Sequence, residues 1–291
     1  MTAISRLKAL DVLNASPEDV RNILLDNKLA IISYIIHPDV LILRGRRGAN
    51  YNTRKDMTYC PVQYCQDYQR ATLPGETMFY GVISDNQAHQ ENVRAIVTAE
   101  CSELCRGGNL TFGRENFSLS HWSINSPLRV GSFITDMTYP NVNNNPLLNN
   151  MRETFIEFHK KEKSTEDIKN LARFISDEFS KQIVSSREYL ITATITSDIV
   201  KLMGFDGIVY PSVQLGGQGG LNIALIPTAV DEKLTFIRAF NQTLYKNGSK
   251  SFIGIESKYE KSKVNQIKHA TDFEIAQSIG LKNIYSLPPI N

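Results

Sequence analysis

The first residue that could do chemistry is an arginine that leaves a short apolar segment. Arg44 follows the apolar run 41–43 and precedes Gly45. Its planar guanidinium can donate two parallel hydrogen bonds to a phosphate or pyrophosphate group. Since Arg46 and Arg47 follow closely, the pattern taken alone favours a solvated basic loop over an anion site.

A second arginine and a tyrosine flank a Pro-Gly turn. Arg70 precedes the Pro74-Gly75 dipeptide, and Tyr80 lies in the strand predicted over residues 78–83. A tyrosine ring at the end of a strand can stack on a flat heterocycle. Packing in the core is the simpler interpretation of Tyr80 in isolation.

An acidic residue lies among apolar residues on a predicted helix. The apolar residues of segment 92–105 recur at near-helical spacing, and Glu100 lies among them. A carboxylate near a sugar can stabilise positive charge that develops at the anomeric carbon. The alternative is a salt bridge on the helix surface, because unpaired acids are uncommon on apolar faces.

A serine ends the most regular motif of the chain. The segment Gly204–Ser212 reads G-F-D-G-I-V-Y-P-S, and the glycine-rich stretch 216–220 and the segment Asn222–Leu225 follow it. The position after a strand and a proline holds the Ser212 hydroxyl where it can meet a ligand. The glycines do not follow the G-x-G-x-x-G order, and Ser212 is not the centre of G-x-S-x-G, so neither a dinucleotide fingerprint nor a hydrolase elbow is predicted.

Composition limits the partners and the compartment. A net charge of +2 over 291 residues is too weak to indicate a nucleic-acid or membrane partner. The longest apolar run, 29–36, is far shorter than the roughly 20 residues of a bilayer span, and residues 1–14 lack the apolar core of a signal peptide, so we expect a cytoplasmic protein. The four cysteines, spaced C-x4-C and C-x3-C without a following His-x-x-x-His, predict reduced thiols and no metal site.

The elements that must position these residues predict an α+β fold. Residues 1–37 are predicted to form a helical extension, in which the segment 16–19 carries the residues of a helix start. Helices are further predicted over 149–179, with a break near 164–165, and over 191–203. Strands are predicted over 40–43, 78–83, 208–210 and 221–226, as two short strands within 119–134, and as strand-like pieces at 234–240 and 251–255.

Taken together, these residues resemble the RES family, which is named for its arginine, glutamate and serine. The matching elements occur in the family's order over about residues 40–226: Arg44, Arg70–Tyr80, Glu100, Gly204–Ser212 and Asn222–Leu225. The most specific element is Gly204–Ser212, which fits the family pattern G-[FY]-D-G-I-x-Y-P-S. The asparagine that usually follows the second arginine is absent, since Ala71 and Thr72 follow Arg70.

The resemblance implies a fold and an activity. It implies an ADP-ribosyltransferase-like split β-sheet core with flanking helices over residues 38–227, preceded by the helical extension 1–37 and followed by an extension, 228–291, packed on the core. Members resemble toxins of toxin–antitoxin pairs, which consume NAD as a substrate and need no cofactor. A cognate antitoxin protein is the implied partner. The reaction would cleave the nicotinamide–ribose bond and pass ADP-ribose to water, phosphate or a protein, three acceptors that stay open.

The resemblance also implies a set of site residues. The catalytic residues would be Glu100, Tyr80 and Ser212, and the NAD-binding residues would be Arg44, Arg70 and Asn222. Glu91 lies at the spacing of compact members and is the alternative to Glu100. We favour Glu100 because the predicted helix ends one turn later and a strand follows, as in the family.

Two other functions stay open. A nucleic-acid-binding module could use the basic cluster of Arg44, Arg46, Arg47, Arg54 and Lys55, with Tyr51 among them to stack on bases. This alternative does not account for Tyr80, Glu100 or Ser212. The missing asparagine also allows a catalytically inactive RES-like scaffold that binds a partner.

Overall fold

The computed structural model describes most of the chain. The described residues are 1–38, 40–48, 51, 53–84, 90–106, 110–142, 145–212, 220–260 and 289, with the backbone alone for 90–92, 106 and 252–260. They form a mixed structure of helices around a nine-stranded sheet, which confirms the α+β class. Within these residues, every helix is too short or too polar to cross a membrane.

The regular elements alternate along the chain. The strands are β1 (Ile32–Ile36), β2 (Leu41–Arg47), β3 (Phe79–Ser84), β4 (Phe112–Ile124), β5 (Leu128–Ser132), β6 (Gly207–Pro211), β7 (Leu221–Leu225), β8 (Leu234–Asn247) and β9 (Lys250–Glu260). The helices are α1 (Ala3–Lys8), α2 (Pro17–Leu24), α3 (Arg54–Met57), α4 (Gln90–Cys101), α5 (Glu103–Arg106), α6 (Pro146–Lys161), α7 (Glu166–Phe179), α8 (Leu190–Met203) and α9 (Pro227–Lys233). Short 3-10 helices lie at Val62–Tyr64 and Ser186–Tyr189.

The sheet places the strands of all the sequence motifs side by side. Its order is β1-β5-β6-β7-β3-β2-β4-β8-β9, in which β5 and β6 are parallel and the other described neighbours are antiparallel. Strands β6, β7, β3 and β2, which carry or directly precede four of the six predicted site residues, are therefore adjacent. Residues that are paired across neighbouring strands point to the same face of a sheet, so these strands can present their polar residues together.

Large aromatic and aliphatic side chains fill the core on both faces of the sheet. Trp122 is fully buried and meets Phe79 and Phe236 edge-on, with ring centroids 5.2 and 5.3 Å apart. Val97 of α4 packs with Leu43 and other buried residues in a separate cluster. Burial of such side chains contributes about 1.5–3 kcal/mol each. The first cluster therefore holds strands of the sheet together, and the second holds α4 on them.

The N-terminal region is only partly the helical extension that we expected. Its second helix, α2, begins as predicted, because Ser16 and Asp19 form a reciprocal capping box. The prediction is wrong at its end, since Ile32–Ile36 forms the edge strand β1, which pairs with β5. Three of its five residues are isoleucines, which favour strands, and β5 offers an edge that the local sequence does not reveal.

The C-terminal extension enlarges the sheet. Strand β8 pairs with almost the whole of β4, and β9 folds back on β8. The segment 234–260 thereby adds two strands beyond β4, where strand-like pieces were predicted. The rest of the predicted extension, 261–288 and 290–291, lies outside the described residues.

A buried histidine predicts a pH dependence of stability. His121 of β4 is 3% exposed, and burial, with repulsion from Arg238 and Arg94, lowers its pKa to about 4. An unfolded histidine has a pKa of about 6.5. Between about pH 6.5 and 4 the unfolded state therefore binds a proton at this position that the folded state does not bind. The free energy of unfolding should therefore fall as pH drops from about 6.5 to 4, by at most on the order of 3 kcal/mol from this group.

Denaturant unfolding at pH 7 and pH 4.5 tests this prediction. We expect His121→Gln to lose less stability than the wild type over that interval, because the titrating group is gone. An equal loss in both proteins would show that other groups account for the acid sensitivity.

Candidate active site

A cavity of about 260 Å³ opens between α4, the start of α8 and the sheet. Five of the six predicted site residues line it, namely Arg44, Arg70, Tyr80, Glu100 and Asn222. The sixth, Ser212, does not line the cavity but is hydrogen-bonded to Glu100. The structure thus brings together residues that are as much as 178 positions apart in the sequence.

The strand register explains why the cavity has this floor. Leu43 of β2, Val82 of β3, Asn222 of β7 and Tyr210 of β6 are paired in one row across four strands. Directly paired residues share a face, and all four line the cavity. A one-residue slip in any of these strands would turn its member of the row to the other face.

Glu100 lies in the last turn of α4 and covers this floor. Its Oε1 atom accepts hydrogen bonds from Ser212 Oγ at 2.5 Å and from Asn222 Nδ2 at 3.0 Å. The two donors come from the end of β6 and from β7, so the helix is connected to the sheet through this carboxylate. A half-buried carboxylate that is held in this way is oriented before any ligand arrives.

The first part of the Gly204–Ser212 motif builds the strand that carries Ser212. Gly204 ends α8 in the left-handed conformation, with φ of 62°, which glycine adopts without strain. Gly207 approaches β7 so closely that an added Cβ would lie 2.0 Å from the Ala224 carbonyl oxygen. These two glycines therefore serve the backbone geometry and not the ligand.

The aspartate of the same motif also has a structural role. The Asp206 carboxylate accepts from the Arg129 backbone N–H at 2.7 Å and from Lys233 Nζ at 2.7 and 2.8 Å. These bonds connect the start of β6 with β5 and α9. Of the motif, Tyr210 lines the cavity and Ser212 contacts Glu100.

The hydroxyl of Tyr80 is held by the segment that follows Arg70. It accepts from the Ala71 backbone N–H at 3.3 Å and lies 3.1 Å from Thr72 Oγ1. Thr72 stands where the RES pattern has its asparagine, and it supplies a polar contact from that position. Burial raises the pKa of Tyr80, so its phenol is neutral at physiological pH.

Arg44 places a buried cation at the cavity. Its side chain is 9% exposed, its Nη1 donates to the Tyr80 carbonyl at 2.7 Å, and its guanidinium lies 5.0 Å from the Phe79 ring centroid. Burial lowers its pKa to about 10, with Arg46 adding repulsion, so the group stays charged at neutral pH. Its Nε atom is buried and has no hydrogen-bond partner among the described residues.

Arg70 differs from Arg44, because protein groups occupy its donors. Its guanidinium donates to the carbonyls of Phe179 and Lys181 at the end of α7 and to the Tyr189 hydroxyl at 3.1 Å. It also lies over the Tyr189 ring, 4.7 Å from the centroid. Arg70 therefore builds the wall of the cavity, and its geometry offers less to an anion than that of Arg44.

Several lining residues were not identified from the sequence. Tyr189 comes from the connection between α7 and α8, a segment without a motif, so no local signal marks it. Cys101 follows Glu100 directly, and its neighbour could have pointed to it. With Tyr80 and Tyr210, Tyr189 gives the cavity three tyrosine rings, and burial raises the pKa of Tyr210 as well.

The geometry of α4 bears on the choice between the two glutamates. Glu91 lies in the first turn of α4 and Glu100 in the last, about 14 Å apart along the helix axis. Only the backbone of Glu91 is among the described features, whereas the Glu100 side chain lines the cavity. The position of Glu100 favours it as the acidic residue of this cavity. Residues 216–219 of the glycine-rich stretch lie outside the described residues.

The basic cluster is partly engaged within the protein. Arg46 donates to the Asp56 carbonyl and stacks on Tyr51, 4.5 Å from its ring centroid. Arg47 pairs with Glu115 at 2.8 Å and with Glu103 at 3.1 Å. Such pairing reduces the charge that this cluster can offer to a nucleic-acid backbone.

All four cysteines are free thiols. In the part of the chain that the structure describes, no three His, Cys, Asp or Glu side chains lie close enough to hold a metal ion.

Comparison of the sequence with protein-family models and with curated proteins finds no match.

Proposed function

We propose that this protein is a RES-like enzyme with an ADP-ribosyltransferase-like core that cleaves NAD at the nicotinamide–ribose bond. The observation that carries the proposal is the Glu100 carboxylate, held by Ser212 and Asn222 in a cavity that also contains the buried Arg44 cation. A fixed anion and a fixed cation in one tyrosine-lined cavity suit a ligand with a developing positive centre and a pyrophosphate.

The reaction needs little acid assistance. The bond between the ribose C1′ and the nicotinamide nitrogen breaks, its electron pair goes to the nitrogen, and nicotinamide leaves as a neutral molecule. Positive charge develops at C1′ and the ring oxygen. The oxygen of water, phosphate or a protein side chain then forms the new bond, and an acceptor O–H proton passes to solvent. The protein must bind the ends of the substrate and stabilise the charge.

Glu100 would supply that stabilisation. A carboxylate about 4 Å from a unit positive charge contributes about 4 kcal/mol at an effective dielectric constant of about 20. Such a contribution corresponds to about 10³ in rate if it is realised only in the transition state. Ser212 and Asn222 would orient the carboxylate in advance, so that little reorganisation accompanies the reaction.

The tyrosines would position the nicotinamide and its ribose. Tyr80 is anchored through its hydroxyl, which leaves its ring to pack on the nicotinamide or the ribose. Tyr189 and Tyr210 line the same cavity and would complete the apolar enclosure. Arg44 would bind the pyrophosphate, while Arg70 would hold the wall that carries Tyr189.

Replacement of Arg44 tests the pyrophosphate contact. We expect Arg44→Ala to raise the KM for NAD by about 10- to 150-fold, since a charged hydrogen bond contributes about 1.5–3 kcal/mol. Arg44→Lys should recover only part of this, because the ammonium cannot donate as a planar fork. Steady-state kinetics with NAD measure the KM. The melting temperature shows whether loss of the hydrogen bond to the Tyr80 carbonyl destabilises the variant.

A matched control comes from the same basic cluster. Arg54 is exposed on α3, so Arg54→Ala should leave the KM for NAD unchanged. An unchanged KM in a folded Arg44→Ala protein would remove Arg44 from the site.

Product analysis tests the function and its acceptor together. Purified protein incubated with NAD should release nicotinamide, and mass analysis would identify the second product as ADP-ribose, its phosphate ester or an ADP-ribosylated protein. If NAD stays intact, binding of labelled nucleic acid then separates a nucleic-acid-binding module from an inactive scaffold that binds a partner.

The proposal also includes the biological setting. The protein would act in the cytoplasm, where NAD is available, as a toxin or effector. A cognate antitoxin protein would neutralise it most simply by blocking the cavity, since a single occupied cavity suffices.

A further inference from the structure

Tyr139 contacts the site from a loop that no sequence motif connects with it. The residue lies between β5 and α6, and its hydroxyl donates a hydrogen bond to the backbone carbonyl of Ser212. Its ring packs against the main core cluster. Tyr139 thus contacts Ser212, the residue that is hydrogen-bonded to Glu100, although Ser212 lies 73 positions after it in the sequence.

The backbone of Tyr139 has an uncommon conformation. Its φ angle is 49°, in the left-handed region that residues with a side chain rarely adopt. Such a conformation persists only where the surrounding structure holds it, and it is concentrated at functional sites. The loop therefore places the Tyr139 ring at a cost in backbone strain.

Two helices brace this loop. Arg152 of α6, which is 9% exposed, donates to the carbonyls of Thr138 and Val142 at 2.8 Å each. Arg173 of α7 makes two hydrogen bonds to Asp136, at 3.0 and 2.7 Å. The loop on either side of Tyr139 is consequently fixed, and so is the direction from which its hydroxyl reaches Ser212.

Ser212 is held by three hydrogen bonds that act on different atoms. Its N–H donates to the Gly220 carbonyl at 3.0 Å, its Oγ donates to Glu100, and its carbonyl accepts from Tyr139. The first bond comes from the entry to β7, and the last comes from the braced loop. The serine hydroxyl is directed at Glu100 by a backbone that is fixed on both sides.

We propose that Tyr139 is a positioning residue, which holds the backbone of Ser212 so that the serine hydroxyl orients the Glu100 carboxylate for NAD cleavage. This inference rests on the function proposed above. Burial, with a further contribution from Glu100, raises the pKa of Tyr139, so its hydroxyl stays a donor at physiological pH.

Tyr139→Phe tests the inference, because it keeps the ring and removes only the donor. We expect kcat for NAD to fall by about 10- to 100-fold, since a displacement of about 1 Å at a reacting group can cost about 100-fold. The KM should change by less than about twofold, since no contact with substrate is lost. Tyr34→Phe is the matched control, because its hydroxyl bonds to Asn150 Oδ1 between β1 and α6, and its kcat should equal that of the wild type.

A double-mutant cycle with Ser212→Ala separates positioning from a general loss of structure. In the Ser212→Ala background, Tyr139→Phe should change kcat by less than about twofold, because the hydroxyl that it orients is absent. Effects on kcat that multiply independently would overturn the inference. If Tyr139→Phe releases nicotinamide as fast as the wild type, the positioning role of Tyr139 is overturned, while the proposed NAD cleavage still stands. A wild type that releases none would overturn both.

Discussion

Glu100→Gln should lower kcat for NAD cleavage by about 10³ while the affinity for NAD changes only a few-fold. The substitution preserves the size of the side chain and leaves an amide oxygen that can still accept from Ser212 and Asn222. What it removes is the negative charge, which acts mainly when positive charge develops at C1′. Single-turnover assays for kcat and equilibrium binding of NAD measure the two quantities separately.

Two comparisons make this prediction specific to the charge at position 100. Glu91→Gln, at the other end of α4, should retain the activity of the wild type. Glu103→Gln changes an exposed acid that pairs with Arg47 and should also stay active. An active Glu100→Gln protein together with an inactive Glu91→Gln protein would show that the wrong glutamate was chosen.

Expression in a bacterium without a neutralising partner should arrest growth, with NAD falling as nicotinamide accumulates. The expected effect is large because the substrate is shared by much of metabolism, and each enzyme molecule turns over many NAD molecules. Glu100→Gln should restore growth at an equal protein level, and Ser212→Ala should restore it in part. Colony counts and metabolite measurements after induction provide the readout.

The Tyr34→Phe variant is also the control for the growth experiment. Tyr34→Phe should remain as toxic as the wild type, which shows that relief by a variant does not follow from any loss of a hydroxyl. If the wild type is harmless at high expression and NAD stays level, the enzyme proposal fails in cells, and the inactive scaffold becomes the better account.

Local signals in the sequence were sufficient for the elements that carry the site. The helix-start residues of segment 16–19 predict the start of α2, and the apolar run at residues 41–43 predicts β2. The helix predicted over 92–105 corresponds to α4 and α5, which the structure divides at Ser102. Each of these predictions depends on residues that are close in the sequence, where caps and periodicity decide the structure.

Local sequence signals did not predict strand pairing between segments that are far apart in the chain. The segment 119–134 was predicted to form two short strands around Trp122, whereas the structure has one long strand, β4, and then β5. Pairing with β8 extends β4 back to Phe112, through a polar stretch that local patterns do not mark as a strand. Strand β1 was missed for the same reason, because its partner β5 is remote in the sequence.

The site itself shows the same division. The motif residues were identified from local sequence patterns and the resemblance, and five of the six line one cavity. Tyr139 and Tyr189 were missed, since each reaches the site through a loop whose course depends on tertiary packing. The role of Arg70 could not be foreseen either, because the carbonyls that it binds belong to the end of a helix about 110 residues away.

The most direct test of NAD cleavage is proton NMR of NAD incubated with the purified protein. We expect the anomeric proton signal of the nicotinamide ribose to disappear while free nicotinamide appears in equal amount. The Glu100→Gln protein at the same concentration should leave the spectrum almost unchanged. An intact NAD spectrum with correctly folded wild-type protein, present in equimolar amount to NAD, would show that the protein does not cleave NAD.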